Sequence, residues 1–290
     1  MAVTCIAAVG CTLGEGPVWD GSIGRLYWVD IKAPALHAWD AATGRLARWP
    51  MPQPIGAVGL RESGGLVAAL RNGFAFIDLP SGGVTPIADP EADRAGNRFN
   101  DGKVDPMGRF WAGTMDDAER NPTGDLYRLD ADGRVERFAV GFIVTNGIDW
   151  SGDGRILYFV DSAERVIHAY EFDMASGRPG RRRLFARVPS DQGHPDGLTV
   201  DAEDHVWSAH WDGGRVTRYR PDGSVERVVA VPAPRCTSSC FGGPGLETLF
   251  VTTAAIGLDA AAREAAPLSG SVFAVTGLGV KGRPANRFRG

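Results

Sequence analysis

Short apolar runs, broken by clusters of Gly, Asp and Ser, follow one another along the whole chain. Leu26-Tyr27-Trp28-Val29-Asp30, Arg109-Phe110-Trp111-Ala112-Gly113, Ile156-Leu157-Tyr158-Phe159-Val160-Asp161, His205-Val206-Trp207-Ser208-Ala209 and Thr248-Leu249-Phe250-Val251-Thr252 read as copies of one strand. Turn residues precede each copy: Asp20-Gly21-Ser22, Pro106-Met107-Gly108, Gly152-Asp153-Gly154, Asp201-Ala202-Glu203-Asp204 and Pro244-Gly245. Gly supplies positive φ and Asp or Ser bonds its own backbone, which is what tight hairpins need. A further alternating strand follows each copy, as in Ala35 to Asp40, Gly124 to Leu129, Val166 to Tyr170, Arg215 to Tyr219 and Gly270 to Val275. Strands separated by turn signals at short intervals predict an all-β protein.

The strands fall into repeats. A Gly opens each unit at positions 16, 56, 102, 147, 197 and 243, so successive units are 40, 46, 45, 50 and 46 residues apart. Repeats of this length made of strands predict a six-bladed β-propeller with four antiparallel strands per blade, one domain spanning residues 1–290. The second unit, Gly56 to Ile87, is the most degenerate, with Gly65 to Leu70 and Gly73 to Ile77 in its two strand slots. Little chain remains after the sixth unit for a full sheet, so Val3 to Val9 is expected to supply its outer strand and close the ring. Closure removes exposed sheet edges, which are otherwise an aggregation hazard. The Trp-Asp pairs at Trp19, Trp39 and Trp211 fall in different strand slots and do not make a WD-repeat pattern.

Composition bounds the partners. In 290 residues, 43% are hydrophobic and 23% charged, ordinary for a soluble globular protein. Net charge is −4 and Lys and Arg are dispersed apart from Arg181, Arg182 and Arg183, read as a solvated loop, so no basic field for nucleic acid exists. Met1 to Leu13 has no basic flank and is too short to span a bilayer, and a cytoplasmic protein that binds no membrane is expected. A monomer or weak oligomer is expected. Cys5, Cys11, Cys236 and Cys240 match no zinc spacing and are read as free thiols.

Blades around one axis gather equivalent residues at the centre. The residues before the six glycines are Glu15, Ile55, Asp101, Asn146, Asp196 and Gly242. Carboxylates with an amide form an oxygen-rich set that suits a divalent ion: Ca, Mg, Mn, Zn or Fe. Arg98, in the polar stretch Asn97 to Lys103, offers a fork of donors for substrate oxygens. Asp116 to Thr123 interrupts a blade where a short hairpin would suffice, as lid insertions do. His194 and His210 are candidates for the pocket, while His37, His168 and His205 lie in strand patterns. No nucleophile elbow, P-loop or dinucleotide fingerprint is present.

These passages carry a resemblance. Leu13 to Trp19, Asn97 to Pro106 followed by Gly113-Thr114-Met115, Thr145 to Ile148 and Pro195-Asp196-Gly197 are similar to the SMP-30/gluconolactonase/regucalcin-like family, and the likeness runs over nearly the whole chain. The resemblance implies a sugar lactonase with one divalent metal held by Glu15, Asn146 and Asp196. It also makes Asp196 the catalytic acid/base and Arg98 and Asn100 substrate contacts. Asp101 occupies the aligned hub slot while the family places the contact on Asn100, and neighbours on a strand face opposite ways, which leaves Asp101 as a supporting partner. Glu119 lies near a substrate-touching lid Glu of some members but out of gapless register. The expected substrate is a five- or six-carbon aldonolactone. Two other readings share the metal: a hydrolase of non-sugar esters or organophosphates, and a non-enzymatic calcium-binding regulator.

Overall fold

The computed structural model describes residues Met1 to Gly290, and its strands form six sheets in a ring, a six-bladed β-propeller. In each sheet four strands run antiparallel from an inner to an outer one. Blade 1 runs Gly14–Asp20, Arg25–Asp30, Ala35–Asp40 and Leu46–Pro50; blade 3 runs Asn97–Val104, Phe110–Asp116, Gly124–Leu129 and Val135–Phe142. Blades 4 and 5 repeat the plan from the inner strands Thr145–Trp150 and His194–Val200. Blade 6 has Cys236–Gly242, Thr248–Thr253 and Val272–Thr276, and the N-terminal strand Ala2–Ala7 pairs with the last of these as its outer edge. The expected closure from both ends of the chain is therefore what occurs.

The core lies between blades. One apolar cluster fills each interface: Tyr27, Val29 and Leu36 of blade 1 pack on Ile55, Leu60 and Leu66 of blade 2. Trp111 and Leu126 of blade 3 meet Trp150 and Phe159 of blade 4, and Trp207 of blade 5 meets Phe241 and Phe273 of blade 6. A sheet packed on both faces needs apolar residues on both, so the second strands do not alternate: all of Phe110–Asp116 is buried. Truncating one of the large buried side chains, such as Trp111 or Trp207, costs about 3–5 kcal/mol.

Near the axis the inner strands approach closely, and this explains the glycines. A Cβ on Gly147 would sit 2.5 Å from the backbone N of Leu198 and 2.7 Å from Asp196 O, so only hydrogen fits there. Gly56 faces the backbone of Phe99 and Asn100 in the same way.

Three readings from the pattern need correction. Gly242-Gly243 does not open blade 6: its inner strand begins at Cys236, Gly242 ends it, and Gly243 lies in the following turn. The hub slot belongs to Thr237, and Gly197 abuts Ser238 there. Arg181 to Arg183 is not a loop but part of the outer strand Arg178–Arg187 of blade 4, where exposed charge protects an edge. The alternation read in the strands also misses a fifth strand in blade 2: Arg287–Phe288 pairs parallel to Ile55–Arg61, with Phe288 buried. No helix is long and apolar enough to cross a membrane.

Candidate functional site

Every inner strand loses register once, near its start. The shifts fall between Glu15 and Val18, Ile55 and Ala57, Phe99 and Gly102, Thr145 and Ile148, Pro195 and Leu198, and Cys236 and Ser238. A bulge bends the strand and re-aims the side chain that sits in it. Glu15, Asn146 and Asp196 each stand in or beside such a bulge, and this is why three blades can turn their polar side chains toward one space.

That space is an open cavity of about 230 Å³ at the mouth of the central channel. Glu15, Arg98, Asn100, Asn146 and Asp196 line it together. His194 and Glu119 join them, with Leu13, Met115, Ile143 and Trp211 as apolar wall. Asp101 faces the other way, into the channel beneath, which Lys103, Asp149 and Ser239 also line. Asn100 thus lines the mouth and Asp101 the channel, on either side of the register shift between Phe99 and Gly102.

The polar atoms at the mouth are unevenly satisfied. Asn146 donates from Nδ2 to Ser162 Oγ at 3.1 Å, and Ser162 donates to Pro195 O at 2.7 Å, which fixes the amide. Its Oδ1 is buried without a partner, and so is Asp196 Oδ1. Glu15 accepts one bond, from its neighbour Gly16 N at 3.1 Å. Burial pushes the Glu15 carboxyl well above the usual carboxylate range, and the charge of Asp101 adds to this. Burial does the same to Asp196, helped by Glu15, Asp101 and Glu119. Asp101 is pushed up to about 6 by burial, a rise that Lys103 limits. Buried carboxylates that repel one another, beside orphaned oxygens, are a set that a bound cation would stabilise.

The residues fit a divalent ion by donor chemistry: two carboxylates and one amide oxygen, all hard ligands. No three His, Cys, Asp or Glu side chains form a metal-holding group of their own in the chain; the set implied by the resemblance joins two carboxylates to the amide of Asn146.

Arg98 is buried and firmly held. Its Nε donates to Asp117 Oδ1 at 2.6 Å, and its Nη1 to Asn100 Oδ1 at 2.6 Å and Phe99 O at 3.1 Å. Asn100 in turn donates to Thr145 O at 2.7 Å, keeping a second amide hydrogen for the cavity. The lid turn after Phe110–Asp116 is organised by Asp116, which accepts from Ala118 N, Arg120 N, Asn121 N and Asn121 Nδ2. The turn places Glu119, at φ +57°, over the mouth.

His194 lines the cavity, as the sequence suggested. Arg165 Nη2 donates to its Nε2 at 2.8 Å, so Nδ1 carries the hydrogen and donates to Ser162 O at 3.1 Å. His210 is a correction: it is fully buried, donates to Gln192 O at 2.8 Å, and burial lowers it to about 4. It packs the blade and does not reach the rim. Trp211, which follows His210 in the same strand, does reach the cavity, whereas Ser162 was missed by sequence reasoning. Trp211 is paired across the strands with His194.

The match to the SMP-30/Gluconolactonase/LRE-like region spans residues 13–255. Regucalcin of Xenopus laevis is 39% identical over 295 aligned positions, covering 99% of this chain and 98% of the relative. The crystal structure of a calcium-binding protein, regucalcin, from Agrobacterium tumefaciens superposes with a TM-score of 0.95 at 32% identity over 99% of this chain and 97% of that one. A luciferin-regenerating enzyme superposes at 0.93 with 30% identity, covering 99% of each. With the propeller, the convergent mouth residues and this full-length likeness in agreement, the chain belongs to the SMP-30/gluconolactonase/LRE-like family.

Proposed function

We propose that the protein is a metal-dependent hydrolase that opens a sugar lactone to its aldonic acid. The observation that carries this reading is the pair of buried, unpartnered oxygens, Asn146 Oδ1 and Asp196 Oδ1, beside the mutually repelling carboxylates of the mouth. Glu15, Asn146 and Asp196 would hold one divalent ion, which when bound supplies a Lewis acid for the lactone carbonyl. Family membership supports the reaction class, and the cavity suits a five- or six-carbon ring.

The chain's own groups then divide the work. Asp196 takes a proton from the attacking water and returns one to the ring oxygen as the ester C–O bond breaks, which leaves a carboxylate and a hydroxyl. Arg98 and Asn100 orient the substrate hydroxyls, with the remaining guanidinium face and the second amide hydrogen as donors. Leu13, Met115, Ile143 and Trp211 exclude water from the apolar side of the ring. The ring of blades, closed by both chain ends, is proposed to fold as one domain over residues 1–290.

A pH-stat screen of aldonolactones, with metal-stripped protein and single additions of Ca, Mg, Mn, Zn or Fe, tests the reading. Turnover is expected only when a divalent ion is restored. Equal turnover without metal, or none with any ion, would overturn it. A second reading is favoured by the calcium-binding relative: a calcium-binding protein without hydrolytic activity. Tight Ca binding in a chain that leaves every lactone at its uncatalysed rate would select it.

A further inference from the structure

The lid carries two adjacent carboxylates with different tasks. Asp116 turns inward and holds the lid's own backbone, as described above. Asp117 turns to the ring. Its Oδ1 accepts from Arg98 Nε and from Lys32 Nζ, both at 2.6 Å, and Arg71 Nη2 lies 3.6 Å from its Oδ2. Lys32 follows the second strand of blade 1, Arg71 follows the second strand of blade 2, and Arg98 lies on the inner strand of blade 3. One lid carboxylate therefore ties three blades together beside the mouth.

The arrangement controls a side chain that cannot otherwise choose its orientation. Arg98 is only 3% exposed, and Asp117 is its one carboxylate partner. Its Nη1 is spent on Asn100 and the backbone, so the bond to Asp117 fixes the rotation of the guanidinium plane about the remaining axis. Burial by itself would raise the Asp117 carboxyl, but Lys32 and Arg98 more than offset this and hold it below the usual carboxylate range. It is an anion at neutral pH, matched to the cations it faces.

We propose that Asp117 is a positioning residue for substrate binding, aiming Arg98 at the cavity and latching the lid to blades 1 and 2. The proposal rests on the reading of Arg98 as a substrate contact. Lys32 and Arg71 share the latch, and their loss weakens it without touching the cavity.

Because Asp116 organises the lid turn independently, D117A unhooks the lid without dissolving it. The expected result is a KM for the lactone raised about tenfold, with kcat changed far less, since a charge-assisted bond that orients the contact is lost. D117E is expected to restore part of the affinity, and K32A to raise KM less than D117A does. The decisive comparison is the double variant: if Asp117 acts through Arg98, R98A/D117A binds no worse than R98A alone. Calorimetric titration with the aldonate product reads the same order without turnover, and thermal melts check that each variant is folded. Should D117A fail the melt, D117N, which keeps the shape, replaces it.

Unchanged KM in D117A while R98A raises it, or two effects that add in full, would overturn the proposal alone. Unchanged KM and product affinity in R98A would overturn the substrate role of Arg98 and this proposal with it. A wild-type chain that neither opens lactones nor binds an aldonate would refute the functional reading from which both descend.

Discussion

The two ends of the central channel have similar ingredients and opposite accounts. In the channel interior, Lys103 Nζ donates to Asp149 Oδ2 at 3.0 Å and Leu198 O at 2.9 Å. Asp149 also accepts from Val200 N at 2.9 Å, Trp150 N at 2.8 Å and Thr199 Oγ1 at 3.2 Å. The far end is covered by the chain from Arg283 to Asn286, whose Asn286 donates to Val104 O at 3.0 Å. At the mouth, neither Glu15 nor Asp196 has an ion-pair partner, Glu15 accepts only from Gly16 N, and burial drives both toward protonation. Buried polar groups are normally paired; Ser239 Oγ in the channel also lacks a partner, but it is a neutral hydroxyl, whereas the mouth leaves carboxyl and amide oxygens unpaired, which marks it as the candidate site.

The contrast can be broken most sharply at Asp196. D196N keeps the shape and removes the base, and lactone turnover is expected to fall on the order of 10³-fold in initial-rate assays with metal present. Near-normal turnover would show that the unpaired end is not where the chemistry happens. Next is Ser162, which holds the Asn146 amide. S162A is expected to weaken divalent-ion binding about tenfold by calorimetry, the usual scale for losing a group that orients a ligand.

Carboxyls raised by burial, Asp101 in the channel and Glu15 and Asp196 at the mouth, set the sign of the pH response. Asp101 rises from 3.8 to about 6 on folding, so its protonated form is the one the folded state prefers. Metal-free protein should have this contribution in full below pH 3.8 and lose it as pH climbs to about 6, with Glu15 and Asp196 acting in the same direction. Melting temperatures of metal-free protein are expected to fall across that window, and added divalent ion to reverse the fall. A metal-free Tm that rises there would mean the carboxylates are already compensated.

At the paired end, stability rather than activity should respond. K103M strips Asp149 of its cation while leaving three other donors, and a loss of about 2 kcal/mol in urea unfolding is expected with little change in kcat. The smallest effect belongs to N286A, which gives up one bond to Val104 O, about 1 kcal/mol, and should leave KM unaltered.

Much of this was legible because the axis is crowded. Inner strands that nearly touch demand Gly beside the hub residue, so the Gly repeat marked Glu15, Asp101, Asn146 and Asp196 alike, and the family resemblance singled out three of them. The same rule misled at blade 6, where Thr237 and Ser238 fill the slot and the conspicuous Gly242-Gly243 serves a turn. Ser162 gave no signal, since it sits in an ordinary turn and becomes part of the cavity only through the blade folded beside it. The C-terminal strand was equally silent: two residues that pair with a partner more than two hundred positions away leave no periodic trace.

By itself the sequence determined the number of blades, the closure by an N-terminal strand and the family, because strand period, turn chemistry and the glycines of the axis are local demands repeated along the chain. Tertiary structure alone decided which carboxylates go unpaired, that Asn100 faces the mouth while Asp101 faces the channel, and that a lid aspartate grips three blades. Charge compensation is a sum over neighbours in space, and in a propeller most of those neighbours come from a different blade.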